Sequence, residues 1–240
     1  MLWAGRLARW GNRLITLAAG LLLGVLALYG AWSLWDIAAT RRAALPGETL
    51  RFKPLAAAPE ASPGFAELQA RNPDVCGWLT LDGTRIDYPV VQGADNMVYV
   101  NTDVYGDFSL SGAIFLDTRC AADFTAPYSI VYGHHIADGG MFGDIAQFAG
   151  ADYFAAHTTG TLVTDDAAYS ITLFACVQAD AYDPVLYDPG SDPAALLDYI
   201  RAHAVQYRAS GSGPVVAFST CAEAATNGRV LLFGQLRAQM

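Results

Sequence analysis

The chain has 240 residues, 53% of them hydrophobic, and its 23 acidic against 14 basic residues give a net charge of −9. This is more apolar material than one soluble core of that size needs, and the acidic balance argues against nucleic acid or an anionic lipid surface as partner. No Gly-rich phosphate loop and no repeat of 20 to 50 residues is present.

Residues 1–13 carry Arg6, Arg9 and Arg13 and no acid. They precede LITLAAGLLLGVLALYGAWSLW, residues 14–35, an uncharged run long enough as a helix to cross a hydrocarbon core of about 30 Å. A cleaved signal peptide has a shorter apolar region and a small-residue cleavage site. This run instead ends on Trp32 and Trp35, which suit a membrane interface. The expectation is a single retained transmembrane anchor with a cytoplasmic N-terminus and everything beyond it extracytoplasmic. That exported part keeps 11 basic residues against 23 acids. Residues 36–61, rich in Ala, Pro, Arg and Glu without periodicity, read as a stalk. Residues 62–240 form the remaining domain, opening with Ser62 as an expected N-cap and Pro63 at the first position of a short helix.

From Cys76 onward, eight short β-rich runs alternate with turn residues: 76–81, 85–91, 112–117, 128–133, 161–164, 168–177, 214–220 and 229–236. Such a series fits a closed or nearly closed barrel better than an alternating βαβ sheet. One helix interrupts it, capped by Asp192 and Pro193 and placing Leu196, Leu197, Ile200, Ala204 and Tyr207 on one face. His157 and His203 fall in helical-looking segments and read as surface residues.

Cys76, Cys120, Cys176 and Cys221 contain no CxxC pair and no metal-ligand spacing. Cys221 stands where a buried-looking strand gives way to a polar loop, the accessible position that a reactive thiol needs. Arg229 follows that loop, so a hairpin would bring guanidinium and thiol to one end of the barrel, where a fixed cation can hold a developing oxyanion. His134 also ends a strand and could exchange the protons of an acyl transfer. His135 is adjacent, and spacing alone does not choose between the two.

Taken together, NPDVCGWLTLDGTRIDYPVVQGADNMVYV from Asn72, SGAIFLD from Ser111, YGHH with GGMFGD downstream, and FSTC followed by TNGR resemble a class B sortase over nearly all of the exported part. The resemblance implies a mainly β fold: an eight-stranded barrel with an N-terminal helix and a helix inserted before the nucleophile strand. It implies a cysteine transpeptidase with Cys221 as nucleophile, His134 rather than His135 as proton partner, and Arg229 as the third catalytic residue. Asn96, Val100, Tyr132 and Ser219 are implied to line the substrate groove, and Tyr182–Tyr187 to lie in a loop over it. The implied partners are exported proteins bearing a C-terminal sorting motif and an amine of a peptidoglycan precursor or pilin, with no cofactor or metal. A wall-associated Cys-His hydrolase and a non-catalytic sortase-like scaffold are the alternatives.

Overall fold

The computed structural model describes residues 2–45, 47–58, 62–136, 139–221 and 227–239. The chain divides into two compact units, Met1–Thr40 and Arg41–Met240.

The first unit is almost wholly helical. Helix α1 runs Leu2–Ala43 and contains Trp10–Thr40, 31 residues long and apolar enough to cross a membrane. It passes beyond the run 14–35 because residues 36–43, DIAATRRA, contain no breaker and several strong helix formers. Breaking signals come only with Pro46 and Gly47.

Among the described residues, the second unit is built on nine strands: β1 Val75–Leu81, β2 Asp87–Val91, β3 Ile114–Leu116, β4 Tyr128–Tyr132, β5 Thr159–Val163, β6 Ala168–Asp180, β7 Ala204–Tyr207, β8 Val215–Cys221 and β9 Gly228–Ala238. Eight of them follow the order β5-β1-β2-β3-β4-β8-β9-β6, and pairing of β5 with β6 closes the ring. This is the expected eight-stranded barrel, and closure removes the free strand edges. Every barrel strand contributes to one buried cluster, including Leu79, Val90, Val131, Leu162, Phe218 and Val230, which fills the interior. Neighbouring positions on the same strands, such as Ala217 and Leu231, face outward and pack beneath Leu196 and Ile200 of helix α4 (Pro193–His203), which follows the short helix α3 (Ala151–Ala156) in the chain. A third cluster joins Phe52, Phe65, Leu68, Trp78 and Tyr99 beside helix α2, Pro63–Arg71.

Two local readings are corrected. The inserted helix starts as expected, with the Asp192 carboxylate accepting N–H bonds from Ala194 and Ala195. It ends at His203, however, and Ala204–Tyr207 is strand β7. Beyond the segment paired to β5, the edge of β6 still needs partners, and β7 supplies them at Ala175–Val177. Ser62 stands at the N-cap of α2 without capping it: its Oγ accepts Leu55 N–H at 2.8 Å and donates to Ala58 O at 3.3 Å.

Residues 36–61, expected as a stalk, carry structure over much of their length. Ala44 is fully buried, and its carbonyl accepts the Tyr88 O–H at 2.7 Å and the Met141 N–H at 3.2 Å. Phe52, ending a 3-10 turn from Gly47, is 1% exposed. A soluble fragment beginning at Ser62 would lose both anchors, and truncating a buried Phe alone costs about 3–5 kcal/mol. A fragment from Arg41 is therefore expected to unfold at a distinctly higher denaturant midpoint than one from Ser62, and Phe52→Ala in the longer fragment should recover most of the difference.

Candidate active site

Strand β8 is flanked by a parallel neighbour and an antiparallel one, and both relations deliver residues to the same end of the barrel. On the parallel side Tyr132 pairs with Ser219, and the Gly133 N–H donates to Ser219 O at 3.2 Å. His134, two residues past Tyr132, therefore leaves β4 at the level where Cys221, two residues past Ser219, ends β8. On the antiparallel side the register pairs Cys221 directly with Arg229, a relation that sets Cα atoms about 4.5–5.5 Å apart. The side chain of Cys221 and residues 222–226 lie outside the described residues.

His134 and Arg229 line one cavity of about 380 Å³, together with Val100, Phe115, Tyr132, Gly133, Ala181, Tyr187, Ser219 and Thr220. The His134 Nε2 lies 2.7 Å from the Val100 carbonyl oxygen. A carbonyl only accepts, so this contact fixes the ring proton on Nε2 and leaves Nδ1 to exchange a proton with a reacting group. Gly112 makes the arrangement possible. Its φ is +58°, and a Cβ there would stand 2.6 Å from the carbonyl oxygens of both Tyr99 and Val100.

One wall of the cavity is a pair of tyrosines. The rings of Tyr132 and Tyr187 stack at 6.3 Å with 8° between their planes, and the Tyr187 hydroxyl meets Ser219 Oγ at 2.8 Å. The Tyr132 O–H donates to Asp117, a fully buried carboxylate that also accepts from the main chain and guanidinium of Arg119. Burial works against ionisation of Asp117, yet the hydrogen bonds from Arg119 and Tyr132 outweigh it and hold the carboxyl below its ordinary value.

Of the four expected groove residues, the fold brings Val100, Tyr132 and Ser219 to the cavity. Asn96 stands apart: its carboxamide oxygen accepts the Thr118 N–H at 2.9 Å, just after β3. His135 faces a different hollow, with Arg85, Asp144 and Gln147. Within the expected loop 182–187, Tyr187 is a cavity residue, whereas Tyr182 is 79% exposed. Sequence reasoning missed Phe115, Ala181 and Thr220 as lining residues and gave no role to Asp117 or Arg119. Cys76, Cys120 and Cys176 are free thiols. Burial pushes Cys76 and Cys176 up to about 12 and also raises Cys120, so none of the three is a nucleophile near neutral pH. Among the described residues no cluster could hold a metal ion.

No family model matches the chain. It is 29% identical over 178 residues to sortase B of Listeria monocytogenes, covering 71% of this chain and 72% of that protein. Among solved structures, a class B sortase of Streptococcus pyogenes involved in pilus biogenesis is 40% identical with a TM-score of 0.67, covering 72% of this chain and 97% of the other. Sortase B from the type II pilus of Streptococcus pneumoniae is 35% identical with a TM-score of 0.63, covering 73% and 99%.

Two outcomes follow from this geometry. Gly112→Ala meets both left-handed strain and two carbonyl oxygens, so it is expected to destabilise by about 1–3 kcal/mol; thermal unfolding reads this. By moving the Val100 carbonyl it should also lower turnover about tenfold or more. The Asp117 carboxylate, held below its unfolded value, contributes stability that is fully present above the ordinary Asp range. That stability is lost as pH falls through the depressed folded value. Unfolding midpoints of wild type and Asp117→Asn should therefore converge under acid and separate toward neutrality; a constant difference across that window would contradict the assignment.

Proposed function

The chain belongs to the class B sortases, and on that premise we propose that it is a membrane-anchored cysteine transpeptidase cleaving a C-terminal sorting motif of exported proteins. The observation that supports this reading best is the meeting of His134, Arg229 and the Cys221 end of β8 around one peptide-sized cavity. Helix α1 serves as a single-pass anchor, with Arg6, Arg9 and Arg13 on the cytoplasmic side and residues 62–240 outside.

In the proposed cycle the Cys221 thiolate attacks the scissile carbonyl carbon, forming a C–S bond and an oxyanion. Arg229 steadies that oxyanion or holds the peptide through its backbone carbonyls. Collapse breaks the C–N bond, and the departing amine takes a proton from His134 as imidazolium, its Nε2–H still bonded to Val100 O. The thioacyl enzyme is then attacked by an incoming amine, His134 recovers a proton, and the C–S bond breaks to release Cys221. Splitting the exchange this way replaces one hard step by two easier ones. Val100, Tyr132 and Ser219 hold the sorting peptide; Asn96, expected with them in the groove, bonds the Thr118 N–H. The acceptor is an amine of a peptidoglycan precursor or a pilin. The pilus assignments of the two streptococcal relatives favour the pilin.

Incubation with a sorting peptide should give a Cys221 thioester detectable by mass spectrometry, and an added amine should convert it to ligated product. Hydrolysed wall peptide without any thioester would indicate the Cys-His hydrolase instead, and surface anchoring that survived Cys221→Ala would indicate a scaffold. Arg229→Lys, which keeps the charge but loses the planar fork, should lower kcat/KM by about 10² or more.

A further inference from the structure

Asp117 and Arg119 form a small clamp outside the catalytic cluster. Asp117 Oδ1 accepts the main-chain and Nε N–H groups of Arg119, both at 2.9 Å. Its Oδ2 accepts Arg119 Nη2–H at 2.8 Å and Tyr132 O–H at 2.9 Å. The same Nη2 donates to the main-chain carbonyl of Tyr187 at 2.8 Å. The end of β3 is thereby tied to a connection 68 residues further along the chain. Arg119 is 53% exposed, so its Coulombic contribution to stability is screened and small. What the fork supplies is geometry: N–H donors in one fixed plane, two directed to Asp117 and one to the Tyr187 carbonyl.

That connection is pinned at other points too. Asp183 Oδ1 accepts the N–H groups of Val185 and Leu186, Tyr128 O–H donates to Leu186 O at 2.6 Å, and Leu186 is fully buried. Tyr187 is held at its main chain by Arg119, across its ring by Tyr132 and at its hydroxyl by Ser219. These restraints describe a preset wall rather than a flap that closes over its ligand.

We infer that Asp117 and Arg119 are positioning residues that set the Tyr132–Tyr187 wall and so determine affinity for the sorting peptide, without altering the reactivity of Cys221. The inference rests on the transpeptidase reading above. An enzyme whose wall is ordered before binding avoids the cost of ordering Tyr187 at each encounter, and releasing the clamp returns that cost to the binding step.

The test uses the full chain in detergent, with a sorting peptide as substrate and a small alkylating reagent as a probe of the thiol. Arg119→Gln should raise KM for the peptide about three- to tenfold, with kcat changed less than about twofold. Alkylation of Cys221 should keep its wild-type rate, and amide hydrogen exchange at 185–188 should accelerate. Arg119→Lys keeps a cation beside Asp117 but cannot fork to Tyr187; it guards against a folding defect and should show the same KM effect in smaller measure. Unchanged KM in both variants, or alkylation that slows in step with kcat, overturns the inference. A wild-type chain that neither forms a thioester nor turns over peptide overturns the transpeptidase reading as well.

Discussion

The geometry of the candidate site at the barrel end depends on the position of β8 between a parallel and an antiparallel neighbour. Parallel strands run toward the same end, so β4 and β8 release His134 and Cys221 together, and the antiparallel return of β9 starts where β8 stops, at Arg229. A parallel pair cannot be joined by a hairpin. The stretch between Tyr132 and Val215 therefore holds β5, β6, α4 and β7, and part of it folds back as the wall that carries Tyr187.

Tyr132 shows how packing and chemistry share the same atoms. It packs against both the cluster beneath α4 and the cluster containing Phe52, and also lines the cavity while its hydroxyl reaches Asp117. Its phenol is raised well above the ordinary range by burial and by the neighbouring carboxylate. It therefore stays protonated and remains a donor to Asp117 at any pH at which the protein would work. The cavity is thus walled by side chains whose positions the folded core already specifies.

Much of the barrel was legible in the sequence because each barrel strand alternates an inward residue with an outward one and is bounded by turn residues. The cap of α4 was legible for a similarly local reason, an Asp-Pro start before an apolar stripe. β7 was not, because Ala204 and Tyr207 prolong the helical spacing and the demand for a strand comes from the distant edge of β6. Phe52 was hidden inside a segment whose composition reads as linker; only its burial partners reveal it. At the site, a hairpin argument sufficed to bring Arg229 to Cys221, whereas preferring His134 to His135 needed the family pattern. The clamp of Asp117 and Arg119 left no signal, since an acid and a base two residues apart are commonplace and their third partner lies far along the chain.

The placement of β8 and β9 also bears on when the candidate site can assemble. β8 begins at Val215 and β9 ends at Ala238, so the two strands that carry Cys221 and Arg229 follow every other barrel strand along the chain. Until β8 docks between β4 and β9, the barrel stays open and the ends of β4 and β8 do not yet lie side by side. Non-local pairings of this kind form slowly. A chain still emerging would accordingly lack the assembled site until both of these strands had arrived.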